Sequence, residues 1–180
     1  MIFKIPSYDD VSWEAYPLFD MQEKASGKVP DLYATIGYSA NALGSYLDFV
    51  KAQAKGTFHA KDREAVYLIV SQYNNCEYCL SSHTLTAIRL GWTEEETLLL
   101  RAGEYPDNKW KVIYNFIGSV IDHRGEVNDQ ILNSFFNLGY DKKALIDLMA
   151  LINLMCFTNY VYRLTKIPIN IPLAKPLNNN

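Results

Sequence analysis

Cysteine is scarce: the 180-residue chain has three, Cys76, Cys79 and Cys156. So low and odd a count is poor material for the dense disulfide framework of a small secreted domain. Positive charge is not in excess either. Seventeen Lys and Arg stand against twenty Asp and Glu, net charge −3, and the basic residues are scattered along the chain. No basic footprint argues for nucleic acid or for an anionic membrane surface. Long apolar runs are missing too. The most hydrophobic stretch, Ala144 to Phe157, is interrupted by Asp147 and Asn153 and falls short of the roughly twenty residues a bilayer-spanning helix needs. Met1 to Pro6 carries no apolar segment followed by a small-residue cleavage site, so the cytoplasm is the expected compartment. Finally, no stretch alternates apolar and polar residues long enough to compel a strand.

What is present reads as one all-α domain spanning residues 1–180. The hydrophobic share of 49% and charged share of 21% are those of an ordinary globular protein with a real core. Helix signals follow one another along the chain. Tyr8 to Ala25 predicts a first helix that Pro17 must kink or break. Leu32 to Lys55 predicts one or two more. A helix opening at His59 buries Ala65, Leu68, Ile69 and Val70, and Tyr73-Asn74-Asn75 turns the chain. A helix from Cys76 to Leu90 stops at Gly91, a C′ glycine. Thr93 to Glu96 is a capping box for a helix through Arg101. Asp107 to His123, Asn128 to Leu138 and Asp141 to Leu164 complete the set. Leu90-Gly91-Trp92-Thr93 and Leu138-Gly139-Tyr140-Asp141 echo one another as helix end, aromatic and new start. The tail from about residue 166 to 180, with Pro168, Pro172 and Pro176 and three terminal Asn, reads as extended and partly frayed.

Cys76-Glu77-Tyr78-Cys79-Leu80-Ser81-Ser82-His83 holds the candidate chemistry. Offsets of three, four and seven residues put both cysteines and the histidine on one helix face. With Asn74 or Asn75 as cap, the cysteines fall in the first turn, where free N–H groups and the helix dipole favour a thiolate. His83 is one turn beyond Cys79 and suited to take its proton. Glu64 lies on the preceding helix, and the Asn74-Asn75 turn could bring its carboxylate to the same place. Thiol, imidazole and carboxylate together make an activated nucleophile. Two other readings stay open at this point. Zinc would take both thiolates and His83, with Glu64 or Cys156 as a fourth ligand, and two buried cysteines could simply pack as small hydrophobes. Haem attachment is excluded, because Leu80 rather than His follows the second cysteine. Cys156, inside an apolar run, reads as inert core. His59 and His123 read as helix ends, and the thirteen tyrosines as core, subunit-contact or pocket-wall residues.

From Asp62 to His83 the chain resembles the alkylhydroperoxidase AhpD / carboxymuconolactone decarboxylase family. The glutamate, the twelve-residue step, the Cys-x-x-Cys pair and the histidine match in spacing, most strongly over about residues 43–102. The resemblance implies an AhpD-like helical bundle that assembles as a homo-oligomer and reduces small hydroperoxides through thiols. It implies Cys79 as the attacking thiol, Cys76 as the resolving one, and Glu64 with His83 as proton relay. No metal or organic cofactor is implied, only an external dithiol reductant protein, of lipoyl type in some relatives. Tyr78 departs from the family pattern, since peroxidase members carry histidine there. The rivals are an acid/base enzyme of the lactone decarboxylase kind, acting on a small cyclic acid through Glu64 and His83, and a redox sensor without turnover.

Overall fold

The structure, a computed structural model, describes residues 3–177. Nine α-helices follow two short 3-10 turns among these residues, with no strand: α1 Tyr16–Ser26, α2 Asp31–Ile36, α3 Ala40–Gln53, α4 Ala60–Tyr73, α5 Glu77–Arg89, α6 Glu94–Ala102, α7 Asn108–Asp122, α8 Asp129–Asn137 and α9 Lys142–Thr165. The all-α expectation holds. The first helix differs from its predicted span. Residues 8–15 form only the 3-10 turns, and α1 starts at Tyr16 with Pro17 in its first turn, where a missing N–H costs nothing.

Helices α2 and α3 are separate because the chain turns tightly at Gly37. A β-carbon there would sit 2.7 Å from Phe19 Cζ, inside van der Waals contact, so the fully buried Phe19 ring uses the space a side chain would need.

Helix α4 is the centre of the bundle. Its residues Glu64 to Ser71 are all buried, and it packs against α5, α6, α7 and α9. The one-sided apolar face read from the sequence is therefore incomplete: Val66 and Tyr67 are covered as well. A helix wrapped on every side gives any polar group it carries, Glu64 above all, a fixed and largely dry setting. The reciprocal capping box of α6 forms as expected, Thr93 Oγ1 accepting from Glu96 N at 3.1 Å and Glu96 Oε2 accepting from Thr93 N at 2.8 Å. Gly91 supplies the positive φ, +92°, that ends α5. Trp92 and Tyr140, the aromatics of the sequence echo, both close onto neighbouring rings, Trp92 on Trp110 and Tyr140 on Phe135.

At 24 residues, α9 is the one helix among those described that is long and apolar enough to cross a membrane by length and composition. It extends past the apolar run seen in the sequence and packs on α2, α3, α4 and α5, burying Leu148, Leu151, Ile152, Leu154 and Met155. Ile146, Tyr160 and Leu164 face outward.

Beyond α9 the tail is extended, as expected, but pinned rather than loose through residue 177. Ile167 is buried, Ala174 N donates to Ser81 Oγ at 3.0 Å, and Arg101 Nη1 donates to the Lys175 carbonyl at 2.8 Å. Lys175 also pairs with Glu94. Arg101, 3% exposed, thus serves as the tail's anchor, with its Nε on Gln72 Oε1 at 2.9 Å. The fraying expected of the three terminal Asn lies outside the described residues.

Candidate active site

The turn between α4 and α5 sets the site. Asn74 closes α4, and Asn75 takes a left-handed conformation with φ +50°, which Asn tolerates better than most residues. Cys76, not an asparagine, is then the N-cap of α5, its Sγ accepting the Cys79 N–H at 3.3 Å. The reason lies in the backbone. The Cys76 N–H is spent on the Ser71 carbonyl at 2.9 Å, which leaves its side chain beside the free N–H groups of the new helix. Cys76 and Cys79 are joined as a disulfide, with Cα atoms 5.3 Å apart. Cys76 is fully buried and Cys79 is 2% exposed.

His83 follows Cys79 by one turn. Its Nδ1 lies 2.7 Å from Glu64 Oε2, and the two side chains are 22% and 12% exposed. A carboxylate at that distance assigns the proton to Nδ1 and leaves Nε2 as the free, basic nitrogen. The imidazole also packs against the Tyr67 ring, with centroids 5.0 Å apart. Tyr67 is held neutral: burial first, then the nearby Glu64 charge, pushes its hydroxyl well above the ordinary phenol value.

Cys79 and His83 open onto one cavity of about 110 Å³, walled by Pro30, Leu32, Tyr33, Tyr46, Tyr78, Ser82 and Thr158; Cys76 is not part of the wall. Burial pushes the hydroxyls of Tyr33, Tyr46 and Tyr78 up, so the phenols remain proton donors near neutral pH and serve as no base. Tyr78, where the family pattern has histidine, stacks on Tyr162 with centroids 5.5 Å apart and accepts the Leu32 N–H at 3.4 Å. It is a wall of the cavity that also ties α5 to α2.

All four sequence candidates, Cys76, Cys79, His83 and Glu64, come together here. Sequence reading missed the contributions of α2, α3 and α9, namely Tyr33, Tyr46 and Thr158; the unusual number of tyrosines was the one available signal. Cys156, expected as inert core, packs against the core but is not fully enclosed. It is half-buried, accepts from Asn74 Nδ2 at 3.4 Å, and burial raises its thiol pKa. His59 and His123 stand at the ends of α4 and α7 as expected. Among the described residues, no group of three or more His, Cys, Asp or Glu is arranged to hold a metal ion.

Residues 40–116 match the sequence profile of the carboxymuconolactone decarboxylase family. A search of the curated proteins gives no match. Several solved structures share the fold. An uncharacterized peroxidase-related protein from Silicibacter sp. TM1040 superposes with a TM-score of 0.81 at 18% identity, covering 93% of this chain and 91% of its own. Another, with an alkylhydroperoxidase AhpD core, from Ralstonia eutropha JMP134, gives 0.81 at 14% identity over 93% and 91%. A cysteine-to-alanine variant of the debrominase Bmp8, in complex with 2,3,4-tribromopyrrole, gives 0.78 at 16% identity over 94% and 92%. The profile match falls on the helices that carry the cysteine pair, His83 and Glu64, and the helical topology is shared with these solved structures over most of the chain, so residues 40–116 resemble the carboxymuconolactone decarboxylase family and the whole chain has the fold of the AhpD-core structures.

Proposed function

We propose that this chain is a thiol-dependent hydroperoxide reductase that cycles between a Cys76/Cys79 dithiol and their disulfide. The observation that carries this reading is that Cys79 alone of the pair meets the cavity, one turn from a His83 oriented by Glu64. In the reduced protein, His83 Nε2 takes the Cys79 proton. The thiolate attacks the terminal oxygen of the hydroperoxide, the O–O bond breaks, and the alcohol leaves with the proton returned by His83. Cys79 is then a sulfenic acid. The Cys76 thiol displaces its hydroxyl as water, and the disulfide forms. One hydroperoxide and two thiols yield one alcohol, one water and one disulfide. An external dithiol, of the lipoyl-protein kind, restores the pair by exchange.

Cys76 stands nearer the helix start, and by the dipole alone it would be the more acidic thiol. Its complete burial off the cavity wall favours Cys79 as the attacking sulfur and Cys76 as the resolving one. With Tyr78 neutral, the relay consists of His83 and Glu64 only. We assign the cycle to the cytoplasm, where the pair can be re-reduced, and to a homo-oligomer, for which the outward apolar side chains of α9 offer a surface.

The aromatic wall of the cavity favours a second reading. A debrominase shares this fold, and the same dithiol could reduce a halogenated aromatic ring to the hydrogen-bearing ring plus halide, again forming the disulfide. Free-thiol counting decides between them. With one equivalent of an organic hydroperoxide, the reduced wild type is expected to lose two thiols per chain, and neither Cys76→Ser nor Cys79→Ser should lose a pair. An unchanged thiol count overturns the peroxidase reading. Release of bromide from a brominated pyrrole with loss of the same two thiols would put the second reading in its place.

A further inference from the structure

Three side chains of α9 converge on the turn that carries the cysteine pair. Cys156, Asn159 and Arg163 are spaced by three, four and seven residues, so they form one polar stripe along α9. Asn159 is fully buried, as is Ser71, and Asn74 is 7% exposed. Asn159 Oδ1 accepts from Asn74 Nδ2 at 2.9 Å, and Asn159 Nδ2 donates to Ser71 Oγ at 3.1 Å. Asn74 Nδ2 also reaches Cys156 Sγ at 3.4 Å. Arg163 Nη1 donates to the Asn74 carbonyl. The Ser71 carbonyl in turn holds the Cys76 N–H at 2.9 Å. The end of α4 that leads into the turn is thus fastened to α9 through the side chains of Ser71 and Asn74, and the Ser71 carbonyl holds the Cys76 N–H.

We infer that Asn159 and Arg163 are positioning residues that set the redox poise of the Cys76–Cys79 pair. The first turn of α5 by itself brings the two Cα atoms within disulfide range, 5.3 Å, so what the surroundings must still fix is the backbone of Cys76, the residue that precedes the helix and directs its own sulfur toward Cys79. Buried amide bonds that hold Ser71 and Asn74, and through the Ser71 carbonyl the Cys76 backbone, keep the Cys76 sulfur at a high effective concentration beside Cys79, and so favour the disulfide over the dithiol. Ordinary capping would need one such bond. This turn meets the fully buried Asn159 of α9, both ends of its amide engaged, plus the Arg163 cation on the Asn74 carbonyl.

The test is equilibration of the purified full chain with mixtures of reduced and oxidised dithiothreitol. In this exchange the protein disulfide gains two electrons and two protons as dithiothreitol closes to its cyclic disulfide. Asn159→Ala is expected to shift the exchange constant about tenfold toward the protein dithiol, equivalent to about 30 mV. The exposed Arg163→Gln should shift it the same way, about threefold. Asp147→Asn, a lesion elsewhere on α9, controls for stability alone and should leave the constant at its wild-type value. Folded variants with wild-type constants, or constants displaced toward the disulfide, overturn the inference. Should Asn159→Ala fail to fold, Arg163→Gln decides the matter alone. The inference rests on the pair being redox-active, and no peroxide enters the measurement, so its failure and that of the hydroperoxide reading are separable.

Discussion

Glu64 Oε2 and His83 Nδ1 lie 2.7 Å apart although 19 residues separate them in sequence. That one contact selects the imidazole tautomer and leaves Nε2 as the nitrogen without a proton. Glu64→Gln removes the negative acceptor and should slow hydroperoxide-driven thiol loss about tenfold, whereas His83→Ala removes the base and should cost about a hundredfold. Stopped-flow following of thiol loss checks both, and an unaltered rate in His83→Ala would take His83 out of the reaction.

The order of the two sulfurs has its own signature. After hydroperoxide, Cys76→Ser should accumulate a sulfenic acid at Cys79 that a dimedone-type probe labels, because nothing resolves it. Cys79→Ser should take no label. The opposite labelling pattern would exchange the two roles.

Tyr78 is expected to matter for packing and not for proton transfer. Burial keeps its hydroxyl protonated, and the oxygen accepts the Leu32 N–H. Tyr78→Phe should therefore keep the oxidation rate within about twofold while losing about 1 kcal/mol of stability, read from denaturant unfolding. A rate falling to the level of His83→Ala would make the phenol part of the relay.

Asp147 gives a pH dependence with a definite sign. Its carboxylate accepts from Thr57 N at 2.8 Å, from Thr57 Oγ1 at 2.6 Å and from Lys143 Nζ at 3.0 Å. Those bonds, the Thr57 hydroxyl first, hold its folded-state pKa below the ordinary 3.8. A lowered carboxylate pKa stabilises the fold above the unfolded value, and the contribution fades as pH drops below 3.8 and through the folded value. Asp147→Asn should cost about 1–2 kcal/mol at neutral pH and progressively less in acid. A stability loss that persists undiminished at the acid end would show that the charge is irrelevant.

Much of the architecture was legible from local signals. The capping box at Thr93, the glycine stop at Gly91 and the Asn74-Asn75 turn each act within a few residues, and each forms. The grouping of Cys79, His83 and Glu64 follows from helix period and one tight turn, so spacing alone anticipated it. What stayed hidden depends on partners far along the chain. Cys76 became the cap because Ser71 claims its N–H, a contact that spacing does not announce. Cys156 looked like core because its run is apolar, yet its partner Asn74 lies 82 residues away. Arg101 resembled any basic residue ending a helix, until the tail supplied the carbonyl it holds. Tyr33 and Tyr46 carried no pattern that separated pocket wall from packing.

The strap formed by the tail ties events in space to events in time. Arg101 waits 74 residues for the carbonyl of Lys175, and Ser81 waits 93 for the amide of Ala174. At about 5–20 residues per second of ribosomal synthesis, Arg101 spends roughly 4–15 s without that acceptor. During translation, then, α5 and α6 are made before the outer clasp that locks them, and the helix that Cys76 caps is held at Ser81 only once Ala174 has been added.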